Sequence, residues 1–277
     1  MQSFGSVGYG QASAARQPSE SIWKDCPQEQ LNSRALGWYR HIEFLGTPLV
    51  NTTITAALLS RLTVDGMAID GDDDTVLTQT ASRQGGFIDL ETDGDDNDAV
   101  ALFMEPTCEI VLNSGNKVWF EARFEPGALA DQGLFFGIAE KAALSRDVVA
   151  DNTITLIGES LIGFQVLSDD TDGVDAVFKL DNGTVVEMLS DVSQASALGT
   201  STFHLVADTD HKFGFKFDGK DQIEIYVDGI KVKTYQITAS TFPDNVKMGP
   251  IIGYKTGTGA AVSVAFDWVR VGYQQTR

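Results

Sequence analysis

The chain has 277 residues, 43% apolar and 21% charged, which is the composition of a globular protein with a substantial core. Lys and Arg total 20 against 39 Asp and Glu, a formal charge of −19, and a surface that negative repels both a phosphate backbone and an anionic membrane face. No apolar run approaches the ~20 residues of a membrane helix, and the N-terminus lacks the charged start and apolar stretch of a secretory signal. Nucleic acid and membrane are therefore not expected as partners. Cys26 and Cys108 are too few for a disulfide framework and are expected as thiols of a chain folded in a reducing compartment.

Residues 1–42 differ from the rest. The first 20 are rich in Gly, Ser, Ala and Gln without a sustained period, so they have little to bury by themselves. Large apolar residues then come singly. An extended arm is expected here, with Phe4, Tyr9, Trp23, Trp38 and Tyr39 as anchors on a partner. The alternative is an arm folded back on its own domain.

From residue 43 the chain becomes a series of short alternating runs. In 118–125 (VWFEARFE), Phe120, Ala122 and Phe124 share one face, and Trp119, Glu121, Arg123 and Glu125 share the other. The run 211–218 (HKFGFKFD) repeats the pattern, with Phe213, Phe215 and Phe217 inward and Lys212 and Lys216 outward. In 222–237 (QIEIYVDGIKVKTYQI), Asp228-Gly229 predicts a type I′ hairpin turn, since both residues tolerate positive φ. The register that follows sets Val227 against Ile230, Ile225 against Val232 and Ile223 against Thr234. On the other face it sets Tyr226 against Lys231 and Glu224 against Lys233. The run 261–271 (AVSVAFDWVRV) is apolar on both faces and predicts a central strand, with Val264, Phe266 and Trp268 on one side.

Further strands are expected at 86–90, 99–104, 108–112, 133–139, 161–167, 174–180, 184–189, 203–207 and 247–254. Only 140–146 (EKAALSR) reads as a helical turn or two. About a dozen strands joined by turns predict an all-β, two-sheet antiparallel sandwich over residues 43–277.

The acidic clusters are Asp70/Asp72/Asp73/Asp74, Asp93/Asp95/Asp96/Asp98 and Asp169/Asp170/Asp172/Asp175. Calcium is a candidate there because it takes six to eight oxygens. The helix-loop-helix pattern fails from Asp93 and from Asp70, so no ligands are assigned. The run 86–91 (GFIDLE) resembles the Glu-Ile-Asp strand of family-16 glycoside hydrolases. Phe87 stands where the first Glu belongs, which leaves the acid–base pair incomplete. His41, His204 and His211 have no metal spacing. Trp119 is the best candidate for stacking on a sugar ring, with Tyr226 and Tyr235 behind it; the alternative is packing under a neighbouring loop or subunit.

The pieces VWFEARFEPG, GLFFGIAE, IEIYVDGIKV and FDWVRVG, in that order, resemble concanavalin A-like jelly rolls, which include laminin-G-like modules, legume-type lectins and family-16 hydrolases. More narrowly, Trp119–Arg123, Phe135–Glu140, Tyr226–Gly229, Phe242–Asp244 and Asp267–Arg270 resemble a pattern shared by a group of tailed-phage virion proteins. That resemblance implies a non-enzymatic head decoration or capsid-stabilising protein. It would be made in the host cytoplasm, bound as a homo-oligomer to the major capsid protein or other virion subunits on the capsid surface, and in need of no cofactor. The alternatives are a carbohydrate-binding module of a phage tail or fibre and a glycan-cleaving enzyme.

Overall fold

The computed structural model describes residues 16–31, 33, 35–44, 52–53, 63–64, 66–72, 75–79, 86–92, 95, 97–104, 109–113, 115–126, 132–149, 159–167, 170–192, 208–238, 240–257 and 263–276. Among the described residues the α-helices are α1 (Glu20–Trp23) and α2 (Gln28–Leu31). The described strands are β1 (Gly37–Ile42), β2 (Thr52–Thr53), β3 (Thr63–Val64), β4 (Met67–Gly71), β5 (Val76–Gln79), β6 (Ile88–Glu91), β7 (Ala99–Phe103), β8 (Ile110–Val111) and β9 (Lys117–Pro126). They continue with β10 (Gln132–Glu140), β11 (Leu161–Leu167), β12 (Asp170–Lys179), β13 (Val186–Leu189), β14 (His211–Phe217), β15 (Gln222–Val227), β16 (Ile230–Gln236), β17 (Lys247–Thr256) and β18 (Ser263–Gln274).

These form two antiparallel sheets. The first runs β16-β15-β14-β9-β18-β6-β5-β2, and the second runs β13-β12-β11-β10-β17-β7-β4-β3, with β8 on β17. In the first sheet β18 is central, as expected. β9 lies along one edge of it, while β6 and β1 share the other, β6 on Ser263–Phe266 and β1 on Val269–Gln274. Residues 37–42, read as arm from the sequence, are therefore a sheet strand, and the sandwich begins before residue 43.

Between the sheets the inward faces supply a packed aromatic core. Phe124 lies 5.0 Å from Phe136 and 5.5 Å from both Phe213 and Phe266, centroid to centroid. Phe120, Phe164 and Phe215 extend the cluster. Each ring buried this completely contributes ~1.5–3 kcal/mol of hydrophobic stabilisation.

Two expected registers are displaced by one residue. The hairpin turn forms as predicted, with Asp228 at φ 48 and Gly229 at φ 81, and Val227 and Tyr226 face Ile230 and Lys231. A bulge at Val232 then sets Ile225 against Lys233, Glu224 against Thr234 and Ile223 against Tyr235. The expected Ile225–Val232, Ile223–Thr234 and Glu224–Lys233 pairs do not form. In β18 the register shifts between Phe266 and Trp268, leaving Asp267 as the extra residue. Phe266 and Val269 both enter the core, whereas Trp268 turns to the outer face, opposite to the expected alternation. A bulge of this kind re-aims side chains, and here it aims Asp267 and Trp268 at the site described next.

The run 140–146 contributes a 3₁₀ turn at Lys141–Ala143, and a second follows at Arg146–Val148. The expected strand at 203–207 lies outside the described residues. β1 to β5 were not anticipated as strands.

Candidate functional site

The outer face of β9 reads Trp119, Glu121, Arg123, Glu125, a pattern that on sequence alone suggests solvent. The structure buries all four, Trp119 and Glu121 completely. The cover is residues 16–31, 33, 35 and 36, a strap lying across β14, β9 and β18. α1 and α2 carry Ile22, Trp23 and Leu31 down onto Trp119 and Tyr226, with Cys26 beside them, and Tyr39 packs at the edge. This cluster is separate from the core between the sheets.

The sheet has notches for the strap. A Cβ on Gly214 of β14 would lie 2.6 Å from Ile22 Cδ1 and 2.7 Å from the Phe120 carbonyl oxygen. A Cβ on Gly272 of β18 would lie 3.1 Å from Cys26 Sγ and 3.3 Å from the Trp23 ring. Glycine inside a strand commonly marks such a close approach, and both positions are filled by strap side chains.

Polar groups answer one another across the same surface. The Arg16 guanidinium bonds both Asp267 oxygens at 2.7–2.9 Å, and the Arg16 carbonyl accepts from Trp268 Nε1 at 2.8 Å. Arg123 reaches Asp267 and Asp210. Glu121 Oε2 accepts from the Ser19 amide at 3.0 Å and from Trp23 Nε1 at 2.7 Å. Asp25 accepts from Trp119 Nε1 at 3.2 Å and pairs with Lys216. Ser21 donates to the Gly229 carbonyl at 2.5 Å, and Lys212 donates to the Gln17 carbonyl at 3.1 Å. Arg270 lies over the Trp23 ring at 4.4 Å and the Tyr39 ring at 5.0 Å, and it donates to Gln28 at 2.9 Å.

These partners set the local acidities. Burial drives the Glu121 carboxyl above its ordinary range, against the bonds it accepts from Ser19 and Trp23. At Asp25 burial acts the same way but is outweighed by the bonds from Lys216 and Trp119, so that carboxyl lies below its ordinary range. The bond to Asp267 raises Arg16. Burial pushes the Cys26 thiol up to about 12, which makes it a poor nucleophile.

The expected site residues are therefore placed as follows. Trp23, Trp38 and Tyr39, read as anchors for a partner, pack on the chain's own sandwich. Trp23 and Tyr39 meet edge to face at 6.0 Å, and Trp38 lies 6.5 Å from Tyr273 against the main core. Trp119 is no sugar platform in this state, because the strap occupies the side it would present. Tyr226 is under the same strap, and Tyr235 packs on Phe178 at 5.8 Å. Phe4 and Tyr9 lie outside the described residues. Phe87 is buried with the Arg123 guanidinium 5.5 Å above its ring, and Asp89 and Glu91 alternate outward from Ile88 and Leu90 on β6.

Of the acidic clusters, Asp70, Asp72 and Asp175 serve as structural acceptors. Asp70 and Asp72 bind Arg146 at 3.1 Å each, and Asp175 accepts from Gln165 and the Asp191 amide. Among the described residues no group of three His, Cys, Asp or Glu is arranged to hold a metal. The remainder of the three clusters falls largely outside what is described. Sequence reasoning missed Arg16, Asp267 and Arg270 as parts of one site. The available signals were the lone Gly214 in a phenylalanine strand and the Asp-Trp-Val-Arg run of the last strand.

No protein-family model matches the sequence, and no curated protein matches it. Among solved structures the sandwich is similar to a protein of unknown function from Shewanella oneidensis MR-1, at TM-score 0.55 and 14% identity over 91% of this chain and 96% of that one. It is also similar to an endo-β-1,4-glucuronan lyase from the fungus Trichoderma reesei, at TM-score 0.49 and 12% identity over 86% and 95% of the two chains. A third likeness is peanut lectin, at TM-score 0.48 and 11% identity over 86% and 98%. The fold is a two-sheet antiparallel β-sandwich of the jelly-roll kind. At these identities the likeness speaks for fold alone.

Proposed function

We propose that this chain is a non-catalytic virion protein that attaches to the outside of a phage capsid and stabilises it through protein contacts. One observation carries the reading. The outer face of the first sheet is filled by the chain's own strap, which takes up Glu121 and Asp267, while Arg123 is held by Asp267 and Asp210. Such a face offers a rigid shape and not a reaction centre. The resemblance of Trp119–Arg123, Phe135–Glu140 and Asp267–Arg270 to tailed-phage virion proteins points the same way. The shell-binding element is then the 15 residues that precede Arg16, with Phe4 and Tyr9 as anchors, since Trp23, Trp38 and Tyr39 are already spent. Copies bind side by side on the major capsid protein.

The test is cosedimentation with capsids that lack this protein. A chain without residues 1–15 is expected to keep its melting temperature and lose most of its occupancy. Full occupancy by that chain overturns the attachment reading, and release of reducing sugar from a β-glucan overturns the non-catalytic one.

A second reading is a carbohydrate-binding module of a tail or fibre. What favours it is a cleft outside the strap-covered face, about 590 Å³ in volume, in which Glu109, Glu140, Lys141 and Lys247 surround an apolar floor. That volume falls in the range of small-ligand sites, ~300–1,000 Å³.

A further inference from the structure

This inference rests on the carbohydrate reading and gives it a place and a ligand class. Beside the first cleft lies a second of about 460 Å³, walled by Asn113, Lys220, Ser240 and Asp244 over Phe217 and Phe242. Asn245 lines both clefts, so they are two compartments of one trough with an amide at the junction. The first compartment is mainly apolar, with Leu144 and Met248 beneath it, whereas the second presents mainly polar groups, with Phe217 and Phe242 buried behind them.

The walls decide the ligand. Glu109, Glu140 and Asp244 stand against Lys141, Lys220 and Lys247, and Glu109 and Lys247 already pair at 3.0 Å. A balanced wall on a chain of charge −19 selects neither an anion nor a cation. What remains is a set of groups that both donate and accept: the amides of Asn113 and Asn245 and the hydroxyl of Ser240. Sugar hydroxyls need that mixture, and the C–H faces of a pyranose ring need an apolar floor.

The junction is also held in place. Asn245 sits at φ 59, its backbone N–H donates to the Leu112 carbonyl at 3.1 Å, and Asn113 Nδ2 lies 3.4 Å from Asn245 Oδ1. Asn tolerates that conformation better than most non-glycine residues.

We propose that the trough binds a linear, uncharged oligosaccharide that lies across Asn245 with sugar units in both compartments. The trough is built from the ends of both sheets and shares no described residue with the strap-covered face.

The experiment is saturation-transfer NMR and calorimetry on the full chain with maltohexaose, cellohexaose, laminarihexaose and mannohexaose, plus hexagalacturonate as the charged control. Asn245→Gly deletes the amide while keeping a residue at ease with positive φ. At least one neutral hexaose is expected to bind with Kd at or below about 1 mM. Asn245→Gly and Asn113→Ala should each weaken that sugar ~10-fold, the loss of about 1.4 kcal/mol, while Lys231→Ala at the hairpin end of β16, outside the trough lining, leaves it unchanged. Binding that survives both trough variants overturns the location and leaves the carbohydrate reading standing. A preference for hexagalacturonate overturns the uncharged class. No binding by any neutral sugar at about 10 mM overturns both the inference and the reading it rests on.

Discussion

The two outer faces of the sandwich are both covered by other parts of the chain, yet the covers are of different kinds. On the second sheet the cover is local. Residues 141–149 follow directly from β10 and lay Ala143, Leu144, Val148 and Val149 on Ala101, Phe135, Leu161, Val177 and Ile251. Its polar tie is at the rim, where Arg146 meets Asp70, Asp72 and the Gly71 carbonyl. On the first sheet the cover comes from the opposite end of the sequence, with Arg16 bonded to Asp267 across 251 positions. It is held by buried charge, indole N–H groups and a stacked guanidinium as well as by apolar area. An aliphatic cover needs only volume and hydrophobicity. The strap needs particular partners in particular places, so it is specific, and it is sensitive to pH.

The sharpest way to break this contrast is to remove the strap's central ring. Trp23→Ala deletes a buried indole and leaves Glu121 buried with one donor fewer, so a loss of ~3–5 kcal/mol in urea unfolding is expected. Val148→Ala on the other face removes two methyl groups and should cost ~1–2 kcal/mol. Equal losses would erase the distinction.

Next come two glycine notches, one taken from each face. A Cβ at Gly214 meets Ile22, and a Cβ at Gly253 meets Val148 Cγ1 at 2.1 Å. Gly214→Ala and Gly253→Ala should each cost ~1–3 kcal/mol by overpacking. Only Gly214→Ala should raise the hydrogen exchange of the Trp23 indole.

The pH dependence sharpens the comparison further. Glu121 has a raised pKa when folded, so the folded chain holds that proton more tightly than the unfolded one. Its contribution is fully present below the unfolded value of ~4.3 and is lost as pH rises through the folded value. Asp25 carries the opposite sign. Its pKa is lowered, so its contribution is present above ~3.9 and is lost as pH falls through the folded value. Stability should therefore decline on both sides of a mildly acidic maximum. Glu121→Gln should flatten the upper limb, and an unchanged upper limb would show that Glu121 does not set it.

The smallest effect belongs to the exposed edge strand. Lys231 pairs with Glu224 at 3.0 Å and is half exposed, so Lys231→Ala should change stability by less than about 1 kcal/mol.

What the sequence made legible was local. The period-two faces of β9 and β14, the Asp228-Gly229 turn and the centrality of β18 follow from alternation and turn chemistry. The bulges at Val232 and Asp267 do not, because one extra residue in a ladder leaves the apolar pattern nearly intact. The candidate site was least legible of all. Glu121 and Arg123 read as solvent-facing because alternation reports which side of a sheet a residue takes and not what lies above it. What lies above is a segment about 100 positions earlier in the chain. Gly214 was the readable trace, since a glycine between phenylalanines in a strand asks what comes close to it.

The central claim is that the strap lies in the notches of its own sheet, and cysteine trapping tests it directly. A Cβ at Gly272 would stand 3.1 Å from Cys26 Sγ, so Gly272→Cys in a Cys108→Ser background places two thiols in bonding reach. Mild oxidation should give a monomer with both thiols consumed and a single cross-linked peptide pair in the mass spectrum. Two freely alkylated thiols, or a cross-link between two chains, would contradict it.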